Sequence, residues 1–213
     1  MKGSKGDNGE PGGRGESGTP FNLITLHSQT NSTPACPAGS VRLWEGYTMG
    51  FTDGDGFGHG QDLGKPGSCV HCFNTIPFMM CRGRGENSRC YYSFRSGKTY
   101  WLSTNAAVDS EEIPMDENED HISCSSVCAI DSAILTVHSQ SNSIPDCPST
   151  WQSVWTGILE LHGSEGSGQQ LESPGSCLTE FRTQPFVECN AKDICHYYQD
   201  NLSFWLVSID GKN

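Results

Sequence analysis

The phrase ITLHSQTNSTPACP at 24–37 returns as LTVHSQSNSIPDCP at 135–148, and that return constrains the fold more than any other feature of the chain. His27 answers His138 and Cys36 answers Cys147 at an offset of 111. PGSC at 66–69 answers PGSC at 174–177, and Cys81 answers Cys189, both at 108. Cys90 and Cys195 are 105 apart, and YWLST at 100–104 answers FWLVS at 204–208 at 104. Offsets that shrink in small steps along the chain mark a duplicated domain with loop deletions. Residues 21–213 therefore divide into two related copies, 21–131 and 132–213, each of domain size.

The copies are expected to be all-β, built of short antiparallel sheets. ITLHS, VRLWEGYTMGF, TYWLST, AILTVHS, SVWTGILEL and LSFWLVSI mix β-branched and aromatic residues with rough alternation. Turn-forming clusters such as TDGDGFGHG and HGSEGSG bound them. The acidic stretch DSEEIPMDENED at 109–120 reads as a solvated loop, since it lacks the glycine and ligand spacing of an EF-hand. The first copy runs 27 residues beyond Trp101 and closes on Cys124-Ser-Ser-Val-Cys128. The second ends eight residues after Trp205, so its closing cysteine pair is expected to be missing.

Residues 1–20 are different in kind. From Gly3 they read GSK GDN GEP GGR GES GTP, with glycine every third position and Pro11 and Pro20 in third place. Only glycine fits the axis of a three-chain helix, so this is a collagen triple-helical segment. Six triplets are a weak clamp, and a trimerising element is expected downstream.

Eleven cysteines alongside a hydrophobic fraction of 34% point to an oxidising, secreted setting where disulfides supplement a modest core. Zinc is not expected, because Cys69–Cys72 and Cys124–Cys128 each lack a second close pair. A net charge of −12 repels a phosphate backbone, which disfavours nucleic acid. No apolar run approaches the ~18 residues of a membrane span. Asn31-Ser-Thr and Asn201-Leu-Ser are glycosylation sequons.

His27 beside Ser28 invites a catalytic reading, and GDGFGHG resembles a nucleophile loop. That loop has no serine, and twin HSQ sites would require two identical active sites. A scaffold histidine bonding locally near a strand end is the expectation, and no enzyme activity is expected.

Collagen triplets followed by two rounds of HSQ-x(5)-CP, GQ-x-L-x(2)-PGSC, PF-x-x-C and [YF]WL resemble the C-terminal non-collagenous domain of a type IV collagen chain. The resemblance implies two homologous disulfide-linked subdomains, each with a hairpin that inserts into a neighbouring subdomain. It implies trimers of such chains, homo- or heteromeric, joined face to face as hexamers in the basement membrane of the extracellular matrix. Cell-surface receptors and other matrix proteins are further candidate partners. The implied pairs are Cys36–Cys128, Cys69–Cys124, Cys81–Cys90 and Cys189–Cys195. Cys124 falls one residue early, in C-x-x-x-C where the family has C-x-x-C. Cys72, Cys147 and Cys177 are left unpaired or intermolecular. The resemblance also implies a chloride ion at the trimer–trimer face, with Arg95 in the arginine position and Glu188 and Asp200 as its partners across that face. A secreted recognition head on a collagen stalk, or a short-chain collagen IV-related collagen, are the alternative readings.

Overall fold

The computed structural model describes residues 21–54, 56–83, 85–91, 96–106, 112–159, 170–197 and 203–210. The triplets of 1–20, Arg95, Asp200 and Asn201 lie outside these residues. In the first copy the strands are β1 (Asn22–His27), β2 (Ser40–Gly54), β3 (Phe57–Gly60), β4 (Cys69–Val70), β5 (Met80–Arg82), β6 (Arg89–Tyr91), β7 (Lys98–Leu102), β8 (Glu112–Ile113) and β9 (Cys124–Ile130). The second copy adds β10 (Ile158–Leu159), β11 (Cys177–Leu178), β12 (Phe186–Asn190) and β13 (Cys195–Tyr197).

A nine-stranded antiparallel sheet runs β1-β9-β2-β7-β12-β13-β8, with β3 and β4 also paired to β2. Its middle is crossed by the copy boundary, because β12 of the second copy lies on β7 of the first. β2 carries the sheet. Its first half pairs with β9 and its second half with β7, with register shifts between Arg42 and Trp44 and between Met49 and Phe51. Such bulges bend a strand and let one 15-residue element serve two neighbours. Gly50 sits at the second shift, where the Phe186 ring occupies the space a Cβ would take.

Two apolar clusters form the core, and each takes residues from both copies. One holds Met49, Trp101, Ile113 and Ile122 with Val187, Cys189, Cys195 and Tyr197. The other holds Phe51, Leu63, Tyr100 and Leu102 with Leu178 and Phe186. The acidic stretch is not simply a loop. Ile113 is buried, β8 pairs with β13, and Met115–His121 forms a 3-10 turn that starts after Pro114. The apolar Ile113, set among charges, fixes that segment to the core.

The two copies differ most where strands were expected in both. AILTVHS and FWLVS carry no strand, and SVWTGILEL keeps only β10. In the first copy β1 and β2 bond to β9 between them rather than to each other. Among the described residues no strand takes the β9 position in the second copy. Its two flanking segments instead line a cleft of about 520 Å³ with Leu135, Val137, Trp151, Val154 and Leu206 on its walls. A strand that needs a central partner does not form without one.

Candidate assembly interface

The hairpin β12–β13 is closed by the Cys189–Cys195 disulfide and docks onto β7 with Phe186 opposite Leu102, Val187 opposite Trp101 and Glu188 opposite Tyr100. The docking buries Phe186, Val187, Cys189 and Tyr197 almost completely. Its tip is held by Thr75, whose hydroxyl donates to Asp193 Oδ1 at 2.6 Å. The accepting edge is braced from behind. Trp101 Nε1 donates to Thr99 Oγ1 at 2.8 Å, that hydroxyl donates to the Thr75 carbonyl, and Phe73 meets Trp101 edge-on at 5.0 Å.

Glu188, one of the residues implicated by resemblance, lies within this docked hairpin and is 2% exposed. Its Oε1 accepts from Lys98 Nζ at 2.8 Å and lies 3.5 Å from His196 Nε2. Its Oε2 has no hydrogen-bond partner among the described residues. A buried carboxylate with one satisfied oxygen is costly unless its counter-charge stays in place. Arg95 and Asp200, the other two implicated residues, lie outside the described residues.

Gln29, the third letter of HSQ, was not singled out from the sequence. Its side chain is buried and reaches the second copy: Nε2 donates to the Glu180 carbonyl at 2.9 Å, and Oε1 accepts from the Glu180 N–H and the Thr179 hydroxyl, each at 2.9 Å. Its backbone adopts φ 49, a left-handed conformation that costs a non-glycine residue about 1 kcal/mol. The Gln29 carbonyl accepts from the Asn105 N–H at 2.7 Å, and Asn105 Nδ2 donates to Glu180 Oε1 at 3.1 Å. The signal for Gln29 was its recurrence as Gln140, which the repeat displayed but chemistry alone did not single out.

The second copy rebuilds the accepting edge. Trp205 Nε1 donates to Ser203 Oγ at 3.0 Å, Ser203 donates to the Thr183 carbonyl at 3.0 Å, and Phe181 meets Trp205 edge-on at 4.9 Å. The Ile209 N–H donates to the Gln140 carbonyl at 2.9 Å, as Asn105 does to Gln29. Trp155 Nε1 donates to the Cys177 carbonyl at 3.2 Å, matching Trp44 and Cys69 at the same distance. No hairpin covers this edge among the described residues, and Phe204 and Val207 are 51% and 52% exposed. The first copy's own hairpin, β5–β6, forms a separate two-stranded sheet closed by Cys81–Cys90. Its flanking Phe78 and Met79, counterparts of the buried Phe186 and Val187, lie exposed, as does Tyr91.

Cys36 and Cys128 are bonded, but Cys69 and Cys124 are free thiols, contrary to the expected pair. The extra residue between Cys124 and Cys128 explains the difference. Strand side chains alternate in direction, so a shift of one position turns a residue to the other face. Cys124 stands opposite Tyr47, and Ser125 takes the other face. Burial pushes the Cys69 thiol up, and Cys69, opposite Thr48, lies on the same sheet face as Ser125, opposite Gly46. That is where a C-x-x-C spacing would have put the partner cysteine. Burial also pushes the Cys124 and Cys177 thiols up. Cys72 and Cys147 are exposed free thiols, and Cys177 is a half-buried one.

His27 is half-buried, and both ring nitrogens are committed at long range rather than to Ser28 or Gln29. Nε2 donates to the Leu63 carbonyl at 2.6 Å, and Nδ1 lies 2.8 Å from the Thr48 hydroxyl. Burial, only partly offset by the Leu63 bond and by Asp62, lowers its pKa to about 4. Ser28 Oγ donates to the Thr30 carbonyl. The pair is scaffold: the histidine ties β1 to β2 and to the loop before the Pro66–Ser68 turn.

Fold and interface together define a tandem-repeat, disulfide-linked β-domain in which a hairpin of one repeat completes the sheet of the other. The family model for the C-terminal tandem repeated domain in type 4 procollagen matches twice, over residues 22–130 and 133–213. The chain is 45% identical over 193 residues to the collagen alpha-1(IV) chain of Drosophila melanogaster. It is 43% identical to the collagen alpha-5(IV) chain of Homo sapiens and 42% to the collagen alpha-4(IV) chain of Mus musculus. Each match covers 88% of this chain and 11% of the relative, so the chain spans about a tenth of the curated relatives' length. The chain belongs to the type IV collagen C-terminal domain family.

Proposed function

We propose that this is an extracellular matrix assembly domain: three chains form a ring in which each chain's β5–β6 hairpin docks on the next chain's Phe204–Val207 edge. One observation carries the reading. Among the described residues one hairpin is exposed and one braced edge is uncovered, while the corresponding hairpin and edge within the chain are joined. Donor and acceptor are different surfaces, so association runs head to tail, and such contacts close into rings when the rotation allows. The collagen triplets set the number at three, since the triple helix takes three chains. The role is structural: choosing chains, registering the triple helix and joining protomers of a collagen IV network in basement membrane.

The face-to-face pairing of two such rings through chloride, with Arg95, Glu188 and Asp200, is part of the same reading. It is supported by Glu188 Oε2, which has no hydrogen-bond partner among the described residues and is the kind of acceptor a guanidinium satisfies.

Sedimentation of the chain, with Met79→Asp as the test variant, addresses the ring. Met79 corresponds to the buried Val187, so a charge there is expected to leave a folded monomer where the parent is a trimer. Repeating the measurement in chloride-free buffer at matched ionic strength tests the hexamer. A Met79→Asp chain that trimerises as its parent does refutes hairpin exchange, and a hexamer that persists without chloride refutes the ion's role.

A further inference from the structure

Within the chain, docking of the second copy on the first depends on more than the hairpin. Gln29 clamps the backbone of residues 179–180 with three hydrogen bonds, and Asn105 meets the Glu180 carboxylate beside them. In repeat register Gln29 corresponds to Gln140, Asn105 to Ile209, Thr179 to His71 and Glu180 to Cys72. Gln140 and Ile209 are held together by the same backbone bond as Gln29 and Asn105. The Gln140 side chain makes no clamp inside the chain among the described residues. Gln140 is exposed where Gln29 is 1% exposed, and His71, Cys72 and Ile209 are exposed as well.

From this register we infer that Gln140 of one chain clamps the backbone of residues 71–72 of a second copy of this chain, seating Cys72 against Ile209. The inference rests on the ring described above and names a second contact within it. It also assigns a use to Cys72, the cysteine with no counterpart in the second copy. A free cysteine behaves as a small hydrophobe. The junction inside the chain then carries a polar pair, Asn105 with Glu180, and the junction between chains carries an apolar pair, Ile209 with Cys72. Crossing the two sets puts a carboxylate against isoleucine and a thiol against an amide. The difference makes each copy's docking surface prefer its proper partner, in the way mismatched contacts give specificity.

The test is trimer formation by the 213-residue chain, read by sedimentation across a concentration series. Gln140→Ala is expected to weaken trimerisation by about tenfold or more, since it removes a clamp of three hydrogen bonds from an interface. Its thermal midpoint as a monomer should be unchanged, because the side chain is exposed there. Cys72→Glu is expected to weaken trimerisation by about fivefold. Cys72→Glu combined with Ile209→Asn, which rebuilds the pair of the inner junction, should return to within about twofold of the parent. A Gln140→Ala chain that trimerises over the same concentration range as the parent overturns the clamp. A double variant no better than Cys72→Glu alone overturns the apolar pair, as does a Cys72 disulfide between chains on a non-reducing gel of the parent trimer. If Met79→Asp blocks assembly while Gln140→Ala does not, the hairpin ring stands and this contact falls. A parent that is monomeric throughout overturns both.

Discussion

Acidification should destabilise this domain through one residue more than any other, His27. In the folded chain its pKa is lowered from 6.5 to about 4, chiefly by burial. Between those values the unfolded chain binds a proton that the folded chain refuses. Stability therefore rises with pH across that window, is fully present above about pH 6.5 and is lost as pH falls toward 4. A shift of this size corresponds to about 2 kcal/mol lost by pH 5 and about 3 kcal/mol by pH 4. Other groups titrate too, so the measurement is a difference. Urea unfolding followed by tryptophan fluorescence at pH 7 and pH 5 gives the pH effect for the parent and for His27→Gln, which cannot titrate. The variant loses part of the bonds to Leu63 and Thr48 at both pH values, and that loss cancels. Its pH effect should be smaller than the parent's by about 2 kcal/mol. Equal pH effects in the two chains would mean that His27 is protonated or accessible when folded, and the scaffold argument would fail.

Two further outcomes follow from single contacts. Ser125→Cys places a thiol beside Cys69 and should form a disulfide under mild oxidation, closing a loop of roughly 56 residues and adding roughly 4 kcal/mol in the chain-entropy account; an unchanged free-thiol count after oxidation contradicts the face assignment of β9. Lys98→Met should cost about 3 kcal/mol by leaving the Glu188 carboxylate buried without its cation, and adding Glu188→Gln should recover most of it; a loss below about 0.5 kcal/mol in urea unfolding contradicts the pairing.

The duplication, the β class and the hairpin motif were legible because they repeat or alternate, and both are visible in a string of letters. The identity of the docked hairpin was not. PFVEC and PFMMC look alike, and only packing shows that Phe186 lies against Gly50 while Phe78 remains open. Cys124 shows a different limit: its spacing hinted at trouble, but which face it turned to depended on the register of β9 against β2. His27 was legible as scaffold from its twin, yet its partners Thr48 and Leu63 are 21 and 36 residues away and no local pattern named them. The second copy's strands were over-read because alternation reports what a segment can do, and strand formation also requires a neighbour to bond with.

The two copies keep the same residue where a junction is built and differ where junctions must be told apart. Trp101 and Trp205 are braced alike, Gln29 and Gln140 hold the same backbone bond, and Trp44 and Trp155 cap equivalent carbonyls. These features make an edge that accepts a hairpin. The positions at the inner junction differ from their counterparts in the other copy: Glu180 against Cys72, Asn105 against Ile209, Glu188 against Met80. Had those matched as well, either hairpin would fit either edge, and the chain could close on itself or string into open filaments. A duplicated domain that assembles head to tail needs identical construction and unequal contacts. Lys98 and Glu188 supply the charged version of that inequality inside the chain, and in the proposed contact Cys72 and Ile209 would supply the uncharged version between chains.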